Sequence, residues 1–314
     1  MKNQANRKLI SNTVFLYLMT TSIQILNLLT VPYLSRVLGP TEYGQIGLAL
    51  GYMAYVQIIL DFGFTLYATK KISENKTDKC KIEYIITAVT FIKVILAVCL
   101  GVVFLLFLYI NVFDVTLMTI LQVYLLGYLI TALLPDFYYR GMENMKSIAL
   151  RTLIVRVLFT LLIFLCVRKK EDIMFVPVCF LVGSILAFII TAADIRWKKQ
   201  ITFRWPGRKY VMSMVRSAFP YFTSRFASTF YQALNVIIIG KIYGTAPEVG
   251  YYTSSDKCLS LVKMGSSPIA DSLYPYMLNH KNYRLIKRLL GFVMPIITVG
   301  VIIIGIRSEE HTSE

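Results

Sequence analysis

Acidic side chains and histidine are scarce in this chain. Seventeen Asp and Glu stand against 33 Lys and Arg, and His280 and His311 are its two histidines. Neither has a partner at metal-ligand spacing. The five cysteines, Cys80, Cys99, Cys166, Cys179 and Cys258, contain no CxxC pair, and most fall inside apolar runs. A zinc site or a disulfide framework is therefore not expected. There is no P-loop, no nucleophile beside a base and no ligand cluster, so neither an enzyme nor a cofactor is expected. Charge of either sign is sparse at 16%, while 56% of residues are hydrophobic and the mean hydropathy is +0.62. That balance excludes a soluble domain of ordinary composition.

What is present is a series of apolar runs of about 18 residues or more, the signature of membrane-spanning helices. The short alternating segments of an outer-membrane barrel are absent. The runs predict an all-α, polytopic membrane protein with helices near 9–33, 44–68, 82–110, 115–135, 148–167, 173–193, 217–240, 248–278 and 289–306. Pro268 and Pro275 should kink or end the eighth. The first run keeps Asn12, Thr20, Gln24 and Asn27 and lacks a small-residue cleavage site, so it reads as a retained helix. The net charge of +16 follows from topology, not from nucleic-acid binding. One set of alternate loops, with the N-terminus, holds 22 Lys and Arg, and the other set holds 5. The positive-inside bias then places the N-terminus and the 194–216 loop in the cytoplasm. Arg168-Lys169-Lys170 is the one cluster against the trend. In the 194–216 loop, basic residues with Trp197 and Trp205 either obey the charge rule or meet anionic lipid head groups.

One phrase occurs twice. Gln24-Ile-Leu-Asn27 leads to Gly39-Pro-Thr-Glu42-Tyr-Gly44, and Gln232-Ala-Leu-Asn235 leads to Gly244-Thr-Ala-Pro-Glu248-Val-Gly250. Each copy ends one apolar run and begins another, as internal repeats of transporters do. The expected organisation is a six-helix lobe over 1–193, a basic linker over 194–216 and a partial second lobe of about three helices over 217–306. Residues 307–314 share no character with the chain before them and resemble translated sequencing-adaptor sequence, so the second lobe is expected to be incomplete.

Ionisable residues inside spans are costly and mark wet cavities or bundle interiors. Lys93 lies about 16 Å into its span, and Arg156 and Arg225 about 12 Å, at 1.5 Å per residue. Lys263 falls in the polar eighth span. The alternative for these cations is snorkelling to the interface, and for Arg151, near the membrane surface, snorkelling is the expectation. Arg225 also belongs to a polar stripe with Ser228, Thr229, Gln232 and Asn235, matched by Thr20, Gln24 and Asn27 on the first helix. Interhelical hydrogen bonds would serve the uncharged members equally well. A cavity lined by several cations suits a polyanionic head group. Asp61 is the candidate for ion coupling; pairing with a cation or ending its helix is its structural alternative.

Three segments then resemble a family. Val31-Pro-Tyr-Leu-Ser-Arg-Val-Leu-Gly39-Pro-Thr-Glu-Tyr-Gly44, Pro135-Asp-Phe-Tyr-Tyr-Arg-Gly-Met-Glu-Asn-Met-Lys146 and the stretch from Ile237 to Tyr252 are similar to motifs of bacterial polysaccharide-biosynthesis flippases. The resemblance covers most of residues 9–305 and points to the O-antigen and capsule repeat-unit flippase (Wzx-type) group. That group falls in the superfamily of multidrug and toxin extruders. It implies two six-helix lobes around a central cavity and passage of undecaprenyl-diphosphate-linked oligosaccharide between leaflets. The chain departs from the pattern in ending after about nine helices and in carrying Asn235 where relatives often have Asp.

On this reading Lys93, Arg156, Arg225 and Lys263 hold the diphosphate, while Gln24, Asn27, Gln232 and Asn235 meet sugar hydroxyls. Membrane lipids surround the protein, and a polymerase and glycosyltransferases of the same pathway are the expected protein partners. Two other readings stay open: a cation-coupled small-molecule exporter, and a scaffold that moves nothing.

Overall fold

A computed structural model describes residues 21–256, apart from 28, 110–113, 143 and 244–246, and the side chains of 107–109 and 231–233. The chain divides into two compact units, Met1–Ser254 and Ser255–Glu314. Only the first is described beyond its opening residues. It contains helices α1 (residues 21–38), α2 (Pro40–Asp61), α3 (Phe64–Glu74), α4 (Lys79–Tyr109), α5 (Val115–Ala132), α6 (Asp136–Gly141), α7 (Met145–Cys166), α8 (Phe175–Ala193) and α9 (Arg208–Tyr243). A tenth, α10, covers residues 247–256. No strand occurs among the described residues. Five segments there are long and apolar enough to cross a membrane: Pro40–Glu74, Lys79–Leu106, Val115–Gly141, Met145–Cys166 and Lys170–Lys198. They coincide with the second to sixth predicted spans. The predicted ninth span, most of the eighth and the first half of the first lie outside the described residues.

Two boundaries differ from the sequence reading, each for a local reason. The run predicted as one helix over 44–68 breaks at Phe62 and Gly63, both at positive φ (44° and 74°). Gly63 allows this turn because it has no side chain. A Cβ there would also lie 2.6 Å from the backbone nitrogen of Phe222 and 2.9 Å from the carbonyl of Ala218. The break thus lets the α2–α3 turn lie directly on α9. The helix predicted from 217 begins at Arg208, just after Pro206 and Gly207 (φ 90°). Its first turns are polar on one side and bury Met214 and Ala218 on the other, which an apolar-run criterion does not detect.

The apolar side chains gather into two clusters. One packs Leu38, Ala49, Met53, Ile120, Leu121 and Ile163 among α1, α2, α5 and α7. The other packs Phe64, Ile72, Ile85, Val89, Phe137 and Ala218 among α3, α4, α6 and α9. The ends of α2 and α5 and the start of α6 carry the polar groups described below.

The repeated phrase has a spatial counterpart. A Cβ on Gly44 would lie 2.8 Å from the backbone nitrogen of Gly250, and one on Gly47 would overlap the side chain of Thr253. The same sequence offset separates both pairs. Small residues let helix backbones approach that closely. The two copies therefore meet where α2 crosses α10.

Candidate functional site

The break after Asp61 leaves a carboxylate at the C-terminal end of α2, where the helix dipole disfavours negative charge. Lys93 of α4 compensates it. Its Nζ lies 4.0 Å from Asp61 Oδ1 and donates to the carbonyl of Ala132 at 3.0 Å. Ala132 is the last residue of α5, so the ammonium also satisfies one of the unpaired carbonyls of a helix end. Lys93 is 5% exposed, and the Phe137 ring lies 5.7 Å from its Nζ. The hydroxyl of Thr65 donates to Asp61 Oδ1, whereas Asp61 Oδ2 is buried without a hydrogen-bond partner. Of the two roles the sequence allowed Asp61, the geometry contains both elements of the structural one: a cation partner and a helix end.

These groups line a cavity of about 190 Å³ with Gln57, Tyr128, Thr131 and Asp136. Arg225 and Thr229 of α9 close it on one side and also line a larger open groove of about 540 Å³ with Ser224, Ser228 and Tyr221. Arg225 is exposed and has no carboxylate partner among the described residues. Lys93, Asp61 and Arg225, distant in sequence, are thus brought to one place.

Arg156 is not. It lies on α7 in a separate recess of about 260 Å³ with Phe159, Phe180 and Ser184. The two cavities share Thr131, Leu134 and Asp136 as lining. Its guanidinium carbon is 4.9 Å from the Phe159 ring centroid, and its Nε is buried without a hydrogen-bond partner. Gln24 and Asn27 stand half-buried on α1, with Asn27 Nδ2 donating to Gln24 Oε1 at 3.2 Å. Neither they nor Asn235 line the 190 Å³ cavity. The Gln232 side chain and Lys263 lie outside the described residues.

Arg151 corrects the sequence reading. Instead of snorkelling it is 7% exposed. It donates to Asp136 Oδ1 at 2.7 Å and to the hydroxyl of Thr191 at 2.9 Å. Arg151 of α7 therefore ties in the short helix α6 through Asp136, in its first turn, and α8 through Thr191. Sequence reasoning passed over Asp136 because it lies in what reads as a loop. Its place directly after Pro135 was the available signal, since Pro followed by an acidic residue opens helices.

The described helices, five segments of which are long and apolar enough to cross a membrane, make an all-α polytopic membrane protein of transporter fold. A solved multidrug resistance MATE family transporter of the MOP superfamily, in an inward-facing conformation, superposes with a TM-score of 0.67 over 88% of this chain and 68% of its own, at 17% identity. That likeness concerns the fold. Residues 9–280 match the family described as "Polysaccharide biosynthesis protein", and the chain belongs to that family. Relatives provisionally named O-antigen transporters occur in Escherichia coli K12, 28% identical over 84% of this chain, and in Shigella dysenteriae, 22% identical over 93%. The chain spans 63% of the length of the first and 73% of the second.

Proposed function

We propose that the protein belongs to the machinery that moves undecaprenyl-diphosphate-linked oligosaccharide across the cytoplasmic membrane by alternating access. The observation that carries this reading is Arg225: a cation inside a predicted span, without a carboxylate partner among the described residues, between a groove and a recess. Phosphate oxygens match a guanidinium fork in geometry and charge. Family membership and the names of the relatives supply the class of cargo.

The paired state of Lys93 changes its part in this scheme. Its charge is shared between Asp61 and a carbonyl, so Arg225 is the primary diphosphate ligand and Lys93 joins only when Asp61 is neutralised. Asp61 Oδ2 is then the position where a proton would bind during coupling. Arg156, in its own recess, contacts the glycan or the second phosphate. Lys263, Gln24, Asn27, Gln232 and Asn235 stay in the scheme as further contacts from the two repeat copies.

The test is glycan export in cells that depend on the full-length protein at normal expression. Charge-neutral Arg225→Gln and Arg156→Gln should each lower export at least tenfold, about 1.4 kcal/mol of lost binding or barrier, with unchanged protein levels. Unchanged export would refute the anion role. Transport indifferent to both pH and sodium gradients would remove the coupling role of Asp61.

A further inference from the structure

A second kind of recess lies against α4 and α8 and plays no part in the scheme above. It encloses about 270 Å³ and is almost wholly apolar. Ile86, Leu134 and Ile195 form its buried floor, and the exposed Val94 and Phe188 flank its opening. Phe203, from the segment that links α8 to α9, also lines it.

That linking segment is fastened, not loose. Glu83 of α4, 3% exposed, accepts the backbone N–H and the hydroxyl of Thr202 at 3.0 and 2.9 Å. The backbone N–H of Arg204 donates to the Thr87 hydroxyl at 3.0 Å, and Trp205 packs edge-on to Phe91 with ring centroids 4.7 Å apart. Arg204 Nε meets Glu83 at 3.1 Å, yet its side chain remains 58% exposed. Arg196, also on the lining, is exposed and makes no hydrogen bond or ion pair among the described residues. The recess is therefore a held shape, apolar inside and cationic at its edge, between segments apolar enough to cross a membrane.

We propose that this recess binds one acyl chain of an anionic phospholipid, whose head-group phosphate rests on Arg196 and the exposed edge of Arg204. An apolar chain explains the lining, where the buried Thr191 hydroxyl is already engaged by Arg151 and the Ala187 carbonyl. The choice of an anionic lipid rests on charge: any lipid gains from burying its chain, but only an anionic one gains from the two arginines. Each basic residue near an anionic head group is worth about a fivefold change in binding.

The full chain, purified in detergent, is offered phosphatidylglycerol, phosphatidylcholine with the same chains, or undecaprenyl phosphate, and bound lipid is read by native mass spectrometry. Phosphatidylglycerol should be retained over phosphatidylcholine. Arg196→Gln should weaken its retention about fivefold, and Ala192→Phe, which fills the recess, should abolish it while thermal unfolding stays at the wild-type midpoint. Arg196 is exposed, so that variant decides the matter even if Ala192→Phe fails to fold. Equal retention of the two phospholipids, wild-type retention by Arg196→Gln, or one-for-one displacement by undecaprenyl phosphate would each overturn the proposal. None of these outcomes depends on glycan export, so the export reading stands or falls separately.

Discussion

Lys93 and Arg151 differ from Arg156 and Arg225 in a way their positions along the sequence conceal. Lys93, Arg151 and Arg156 lie in segments apolar and long enough to cross a membrane, whereas Arg225 precedes the apolar end of α9 at Leu234–Tyr243. The first two are each matched by an aspartate and bind helix to helix. Lys93 joins the end of α2 to the end of α5, and Arg151 joins α6, α7 and α8. The other two have no carboxylate partner among the described residues and face cavities. A buried charge is tolerated when it is paired and hydrogen-bonded. An unpaired one at a cavity wall keeps its capacity for a ligand. The cations of these helices therefore divide into those the fold has used and those it has left available.

The sharpest break of this comparison is Asp136→Ala. Arginine cannot shed its proton at accessible pH, so the variant leaves Arg151 charged and buried. Removing one partner of a fully buried pair costs roughly 3–5 kcal/mol. Asp136 is 32% exposed and Thr191 still accepts from Arg151, so a loss of about 2 kcal/mol is expected. Arg225→Ala, at an exposed position, should change stability by no more than about 0.5 kcal/mol. Denaturant unfolding of the purified protein in detergent measures both. Equal losses would show that Arg225 is a structural residue too, and the division would collapse.

A smaller net effect is expected at the lysine pair. Lys93→Met alone leaves Asp61 without its cation, and Asp61→Leu alone leaves a buried ammonium. The double variant replaces the pair by apolar groups, a change often close to neutral. It should recover most of the single-variant loss, with a coupling energy on the order of 2 kcal/mol. Additive losses in the same unfolding measurement would mean that the 4.0 Å separation carries no interaction, and that Lys93 belongs with Arg225 after all.

Much of this arrangement was legible in the sequence because hydropathy is a sum over many residues. The second to sixth spans needed no knowledge of partners, whereas the contact of Gly44 with Gly250 was not foreseen from the repeat. The break at Phe62-Gly63 escaped because it interrupts an apolar run without interrupting its hydropathy. Conformation is set there by two residues at positive φ and by the approach of α9. Arg151 was misread for a related reason: depth along a helix can be counted from sequence, but the helix face cannot be assigned until α6 and α8 are in place. Lys93 and Asp61 were each singled out, yet their pairing is a distance between helices. Arg156 looked equivalent to Arg225 by depth, and only the packing of α5, α7 and α8 puts it in a separate recess.

Asp78, outside the spans, shows what the same side chain does in water, and its loss should be the smallest effect. It precedes α4, where its Oδ1 accepts the Lys81 backbone N–H at 3.1 Å and its other oxygen lies 3.3 Å from Lys81 Nζ. A carboxylate at this position caps unpaired N–H groups and meets the favourable end of the helix dipole. The Lys81 N–H holds its carboxyl below the ordinary range, and the Lys81 ammonium adds to this. A carboxyl depressed in the folded state stabilises the protein above its unfolded-state pKa and ceases to do so as pH falls through the folded value. Asp78→Ala should therefore lower the unfolding midpoint slightly and constantly from about pH 5 upward, with the difference fading in stronger acid. A difference that stays constant down to strong acid would assign the loss to packing at the start of α4. The exposed aspartate would then stabilise by contact, and the contrast with Asp61 and Asp136 would no longer be one of charge.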